Sequence, residues 1–466
     1  MDYDASLRWL LTLPDFERTG QFSARPDVAP MRALLAVFGD PQRGRPTLHV
    51  AGSKGKGSTA VMAEAILRAA GLHTGCYISP HLHRYNERVR IGGAPIAPEG
   101  FAAAMTAARE AMASVAPRFP GREFVAFDAL TAAAFVAFRD AGAGAQVVEV
   151  GLGGLLDSTN VFQRDDAAPD EPHVSAITSI SLEHTAVLGS TAGAIAAQKA
   201  GIIVRGDVVV AAPMRESALD AVRARAAGQG ARVVEVAQVC QMTRTSASAE
   251  GQDFRLKTPR ATYIAHLPLL GRHQLDNAAT AVVASEELCA QAGIALTPAH
   301  VRAGLADVVW PGRLEVLKRR PLVVVDGAHN GDSAKRMAAA LREHLGLSQA
   351  LFLVGTLADK DIAGMAEAVA PMAVQVLVTP WPNRRAADPD AIAATFRALD
   401  VPVAMFGSLP AACDAALAEA GERGAVVAFG AIAFAAAVRE YLLGIQSDMI
   451  RLQFGAESGG RRARAE

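Results

Sequence analysis

Short unbroken apolar runs alternate along this chain with alanine-rich stretches whose apolar positions recur at helical spacing. That is the pattern of buried strands separated by covering helices. Residues 1–46 read as a short helical lead carrying Leu7, Trp9, Leu10, Leu11 and Leu13, then a connection rich in Pro, Asp and Arg. The run containing Leu48 and Val50 predicts a strand. The helix after it starts near residue 58 and stops at Gly71, a natural C-cap. A strand over TGCYI follows, then SPHLHRYNERVRIGGAPI, a loop too charged to be core. Helices are predicted over 99–115 and 124–140, and QVVEVGLGG reads as a buried strand with Glu149 near its C-terminal end. Residues 163–172 form a solvated loop. Strands are expected over 174–180, 207–212 and 232–236, with a helix through IAAQKAGII after the first of them.

Residues 240–268 are polar and strand-like, and LLGRHQLDNAATAVVASEEL returns to helix. The Trp-Pro-Gly composition of VVWPGRLEV, 308–316, marks a boundary. Beyond it, five apolar runs (322–326, 350–355, 374–379, 402–406 and 425–430) alternate with helical segments. Such runs mean a largely parallel sheet covered on both faces, hence a second, Rossmann-like α/β domain, here without a GxGxxG fingerprint. The expected division is 1–46, 47–310, 311–445 and a disordered tail, 446–466, whose arginines belong to a solvated terminus.

At 466 residues there is room for two or three cores, and a hydrophobic fraction of 51% fits a globular α/β protein. A formal net charge of −1 gives no support for a nucleic-acid or membrane-surface partner. Cys76, Cys240, Cys289 and Cys413 lie far apart with no CxxC pair, so they read as neutral thiols in a reducing compartment. The acidic start MDYDASLRWL is not a secretory signal, and no uncharged apolar run reaches the ~18 residues of a membrane span. A cytoplasmic location is expected.

The candidate chemistry centres on TLHVAGSKGKGST, residues 47–59: a strand, a glycine-rich turn and a helix start. Glycines let successive N–H groups converge on one anion, and the helix dipole adds to the attraction. Lys56 would offer a point charge to the outer phosphates, and Ser58 or Thr59 a hydroxyl to Mg²⁺. The strict P-loop spacing is not met, since it wants glycine at Val50 and a hydroxyl at Gly57. The alternative is a flexible surface loop. Ser79, Glu149 and His184 fall at or just past carboxyl ends of strands, where ligands of open α/β sheets collect. Glu149 stands out, because a carboxylate in a buried apolar strand needs a cation or hydrogen bonds. By composition alone His184 reads as a helix-end or core histidine and Lys199 as a surface lysine. Asp326 and His329, in DGAHN after LVVVD, sit at the mouth of the second sheet, where a carboxylate could hold a ribose hydroxyl.

Nine strings occur in series between residues 48 and 330: HVAGSKGKGST, SPHL, ERVRIGG, EVGLGG-x-x-DSTN, LEHTAVLGST, QKAGI, GRHQ-x-x-NAA, WPGRLE and DGAHN. Together they resemble the Mur ligase superfamily and, within it, the folylpolyglutamate synthase family. The resemblance implies a P-loop, Mur-ligase-like ATP-binding domain with a mostly parallel sheet, plus the C-terminal Rossmann-like domain. It also implies an ATP-dependent ligase, using Mg²⁺, that adds L-glutamate to the γ-carboxyl of a reduced folate, and in some members to dihydropteroate. Gly52, Ser53, Lys54, Gly55, Lys56, Gly57, Ser58 and Thr59 would bind the nucleotide phosphates, and Asn277 would lie near the adenine. Arg313 and Asp326 would reach the nucleotide from across the domain boundary, with His329 between ATP and glutamate. Ser58, Ser79, Glu149 and His184 would serve Mg²⁺. Lys199 matches a lysine that the family carries as a carbamate, an oxygen ligand for a second Mg²⁺. The protein would act as a monomer.

The sequence departs from the family in three places. Ser53-Lys54 stands where Thr-Asn is common, which adds a cation beside the phosphates. Leu155-Leu156 replaces the Arg-Leu of many bifunctional bacterial members, putting dihydropteroate activity in question. Phe429-Gly430-Ala431 replaces Thr-Gly-Ser, removing a hydroxyl near the incoming glutamate. A P-loop phosphotransferase shares the loop but has no need of DGAHN or Lys199. A Mur-type ligase for another carboxylate needs both.

Overall fold

The computed structural model describes residues 1–20, 27–162, 171–182, 184–449 and 452. Three sheets follow one another along the chain. The first is eight-stranded: β1 (Thr47–Ala51), β2 (Thr74–Tyr77), β3 (Val89–Ile91), β4 (Ala94–Pro95), β5 (Ala145–Glu149), β6 (His173–Ile177), β7 (Val208–Ala211) and β8 (Arg232–Glu235). Its order is β4-β3-β2-β5-β1-β6-β7-β8, parallel except that β3 runs antiparallel to both β2 and β4. The central strands β1, β5 and β6 are buried at every position, so their sequences show no apolar-in, polar-out alternation, and polar residues such as His49, Gln146 and Ser175 are hydrogen-bonded inside the core.

A three-stranded antiparallel sheet comes next, β9 (Gln241–Ser248), β10 (Gly251–Lys257) and β11 (Thr262–Leu267). Its period of two points Phe254, Leu256, Tyr263, Ala265 and Leu267 into the main core and leaves the other face wet. The last sheet has the order β12-β13-β17-β14-β15-β16, from β12 (Glu315–Arg319), β13 (Leu322–Val325), β14 (Ala350–Val354), β15 (Ala373–Val378), β16 (Val403–Met405) and β17 (Ala425–Phe429). All five expected runs are strands here and pair in parallel. The added edge strand β12 begins at the end of the stretch read as a boundary. Only partly covered and antiparallel to β13, it lacks the apolar signature of the others.

The helix Lys56–Ala69 after β1 is buried from Ser58 to Leu67, because helices His273–Gln291 and Pro298–Ala306 enclose it against the sheet. The N-terminal lead is not separate either. Tyr3, Leu7, Leu10, Met31 and Leu34 share one apolar cluster with Phe101, Met105, Phe135 and Phe138.

The tail differs from expectation at its start. Asp448 is 1% exposed, and its carboxylate accepts from the Tyr3 hydroxyl and the Tyr85 N–H, each at 2.7 Å. The chain is therefore held to the first sheet's side at least to that residue; 450, 451 and 453–466 lie outside the described residues, as do 163–170 of the expected solvated loop. Asp448→Ala would leave two buried donors without this acceptor, at a cost of about 2–3 kcal/mol, and a lowered urea midpoint would register it.

Candidate active site

The carboxyl ends of β1, β5 and β6 stand side by side, with Val50 in register with both Glu149 and Ala176. The glycine-rich turn is pinned there, for the N–H groups of Ser53 and Lys54 both donate to the Ser179 carbonyl, at 3.0 and 3.2 Å. The Ser53 hydroxyl donates to Ser181 O at 2.9 Å. Gly55 caps the following helix with φ +87°, a left-handed conformation, and a Cβ there would lie 2.2 Å from the Asn277 amide oxygen. No side chain caps this helix, so its first-turn N–H groups and its dipole are presented to an anion.

Gly57 breaks the strict P-loop pattern for a steric reason. A Cβ on it would come within 2.7 Å of the Trp310 ring and 3.4 Å of the Glu149 carboxylate. Trp310, part of the boundary and of the WPGRLE string, is thus the surface against which the loop closes.

Glu149 is 3% exposed and accepts from the Ser79 backbone N–H at 2.9 Å. Burial pushes its carboxyl up to about 7, opposed by the charge of Lys56, the Ser79 N–H and Arg313. On the far side, Asp326 directly follows β13 and accepts from the N–H of Leu314 and of Ala328, both at 2.7 Å. Burial raises its pKa against the pull of Arg313, and lowers that of Arg313 against the charges of Asp326 and Glu149. One guanidinium therefore acts on a carboxylate of each large sheet.

His329, two residues past Gly327, points its Nδ1 at the Gly327 carbonyl at 2.9 Å and its Nε2 at Lys54 Nζ at 2.8 Å. A carbonyl accepts only, so Nδ1 carries the proton and Nε2 receives the ammonium. Burial and Lys54 bring this imidazole down to about 3.

These groups line a single cleft of about 2110 Å³ between the sheets. That is roughly twice the ~1,000 Å³ upper range of single-ligand pockets. Lys54, Lys56, Ser58, Ser79, Glu149, His184, Asn277, Arg313, Asp326 and His329 all face it. Its other end is flanked by Leu13, Phe16, Phe127 and Leu156. There the nearly buried Arg88 pairs with Glu17, Nη1 to Oε1 at 3.1 Å. Arg385 of the second half donates to the Glu17 carbonyl at 2.9 Å and closes that side.

One reading from composition is corrected. Lys199 is no surface residue: it is 1% exposed, and its Nζ donates to the Gly52 carbonyl at 2.8 Å from beneath the loop. Lys199, Gly52 and Thr59 do not line the cleft, because the helix start turns Ser58 toward it and buries Thr59 completely. Asn277 packs on Gly55 of the phosphate loop, held by Gln274 through a 2.9 Å bond, so its first contact is the loop itself. His184 faces the cleft at φ +46°, its ring 6.0 Å from that of Phe16.

Among the described residues no group of three or more His, Cys, Asp or Glu side chains could by itself hold a metal. One desolvated carboxylate beside a phosphate loop suits Mg²⁺ all the same, since that ion keeps waters and binds through a carboxylate and substrate phosphates. The residues present fit it.

Comparison with known proteins agrees with this geometry. The Mur ligase middle domain matches residues 129–285, and the Mur ligase glutamate ligase domain matches 312–432. The folylpolyglutamate synthase of Lacticaseibacillus casei is 32% identical over 449 residues, covering 96% of this chain and all of that one. The chain belongs to the folylpolyglutamate synthase/dihydrofolate synthase family of Mur ligases. Among solved structures of this family, Mycobacterium tuberculosis folylpolyglutamate synthase complexed with ADP and AMPPCP superposes with a TM-score of 0.85 at 32% identity, over 96% of this chain and 100% of that one. E. coli FolC in complex with DHPP and ADP gives a TM-score of 0.81 at 26% identity, over 95% and 98%. Among the described residues no helix is long and apolar enough to cross a membrane.

Proposed function

We propose that this chain adds L-glutamate in γ-linkage to a reduced folate and its polyglutamates, using ATP and passing through an acyl phosphate. The observation that carries this reading is the meeting of the phosphate loop and the DGAHN turn in one cleft, with Lys54 of the first 2.8 Å from His329 of the second. A phosphotransferase would need only the first.

A carboxylate is a poor electrophile, so its oxygen first takes the γ-phosphoryl, the bond to the bridging oxygen breaks and ADP leaves. The glutamate nitrogen then attacks the acyl carbon and phosphate departs. In this scheme the first-turn N–H groups and Lys56 hold the transferring phosphoryl, whose charge spreads over three oxygens. Ser58 and Glu149 would hold Mg²⁺, with Ser79 fixing the carboxylate through its N–H and His184 facing the same cleft. Bound Mg²⁺ supplies further charge neutralisation at the phosphates. Carbamylated Lys199 would still keep one N–H for the Gly52 carbonyl while offering anionic oxygens. Arg313 and Asp326 hold the nucleotide from the second half, and the apolar flank at Leu13, Phe16 and Phe127 takes the pterin. The working boundary falls at residues 310–311, where Trp310 rests on the loop. Closure there would exclude water from the acyl phosphate.

The test is incorporation of labelled glutamate with tetrahydrofolate and, in parallel, with dihydropteroate. We expect one ADP per glutamate with tetrahydrofolate and weaker incorporation with dihydropteroate, because Leu155 carries no charge. ADP release indifferent to both folate and glutamate would refute the proposal.

A further inference from the structure

The contact between Lys54 and His329 poses a chemical problem for the ligase reading. An incoming glutamate amine must lose protons before and after it attacks, and His329 Nε2 is the basic atom of the DGAHN turn nearest the loop. In the structure that lone pair is already engaged, receiving Lys54 Nζ at 2.8 Å, while Nδ1 is committed to the Gly327 carbonyl. Both ring nitrogens are therefore spoken for, and the backbone N–H of His329 donates to the Ser333 hydroxyl at 3.1 Å, which fixes the ring's base. Lys54 is equally constrained at its root, since its N–H donates to the Ser179 carbonyl and its own carbonyl accepts from the Ser179 hydroxyl at 3.3 Å. Only its flexible four-carbon stem can move.

That stem starts two residues before Lys56, on the same anion-binding turn. A phosphate on the turn competes with the neutral imidazole for one ammonium, and a charge–charge contact in a buried cleft outweighs a charge–lone-pair one. Resting on the reading of this cleft as an ATP site, we propose that Lys54 is a positioning residue that couples phosphate occupancy of the loop to His329. The ammonium holds the ring as the Nδ1–H tautomer, then swings to the phosphate oxygens and leaves Nε2 to the amine. A phosphate-dependent base would keep glutamate from being deprotonated before an activated acid exists to receive it.

The groups whose charge acts on the ring are Lys54 of the loop, Lys360 after β14 and Arg313 at the boundary, with the Gly327 carbonyl at its other nitrogen. Removing Lys54 removes the nearest cation, so the titration of His329 reports the contact directly.

The experiment follows the His329 ring by ¹⁵N NMR in the full chain, its resonances assigned by their loss in His329→Gln. With Lys54→Met the ring's titration midpoint should rise by about one pH unit or more, and Lys54→Arg should restore a low midpoint. Adding Mg²⁺ and the methylene-bridged ATP analogue AMPPCP to the unmodified protein should move the Nε2 resonance as the ammonium departs. A midpoint unchanged in Lys54→Met would overturn the proposal. So would AMPPCP that binds by calorimetry yet leaves Nε2 unmoved, and in that case the ATP reading would survive. Absence of any calorimetric binding would refute the ATP reading itself and the coupling with it.

Discussion

Alanine at Lys56 lowers ATP-dependent glutamate incorporation by about a thousandfold or more, while the protein melts close to the unmodified chain. The size follows from position. Lys56 is the first residue of the helix Lys56–Ala69, beside the open first-turn N–H groups, and its charge reaches Glu149. In a cleft sheltered from water, a fixed cation aimed at developing charge costs no reorganisation when the phosphoryl moves, and loss of one such donor costs about 10²–10³ in rate. A phosphoryl transfer that relies on positioning and charge alone should sit at or above the upper end. The side chain faces the cleft and is not part of an apolar cluster, so the fold has little stake in it. Steady-state assay together with thermal melting checks both halves. Turnover near that of the unmodified enzyme would remove the loop from the mechanism.

Glu149→Gln should have effects of opposite sign on turnover and stability. Turnover falls by about a thousandfold, because an amide cannot neutralise a cation at the phosphates. Stability moves the other way in metal-free protein. Burial holds the folded carboxyl at about 7, whereas the unfolded chain ionises it near its usual 4.5. The unfolded state therefore binds fewer protons between those values, and the folded protein loses stability as pH rises from 4.5 through about 7. Above pH 7 the loss approaches about 3 kcal/mol. Glutamine keeps the shape and can still accept from the Ser79 N–H without a charge to desolvate. In EDTA at pH 8 the variant should melt above the unmodified protein, and the gap should shrink toward pH 4.5. A variant that melts lower at pH 8, or that retains turnover, would contradict this account of Glu149.

What the sequence disclosed was whatever depends on local pattern. The five strands of the last sheet were legible because their runs are apolar apart from Gln375, and the central ones, β14 and β17, are covered on both faces. Glu149 was legible because a carboxylate within such a run has no cheap explanation. β12 was hidden, since a half-covered antiparallel edge carries no such run. Lys199 was misread from composition: its alanine-rich helix looks solvated, and only packing against Gly52, far away in the chain, buries it. Gly57 looked like a defect in a P-loop until Trp310 filled the space a side chain would need. Glu17 with Arg88, and Lys54 with His329, lie 71 and 275 residues apart, so neither pairing leaves a trace in spacing. The packed start of the tail escaped for the same reason, its anchor being Tyr3 at the opposite end of the chain.

The account turns on one nucleotide being held from both sides of the cleft. A crystal structure of this chain with Mg²⁺ and AMPPCP measures that directly. The expected result places the phosphates on the N–H groups from Gly55 to Ser58, with Mg²⁺ beside Glu149 and with Arg313 and Asp326 touching the same molecule. A nucleotide contacted by residues of only one half, with Asp326 and His329 turned away, would contradict it.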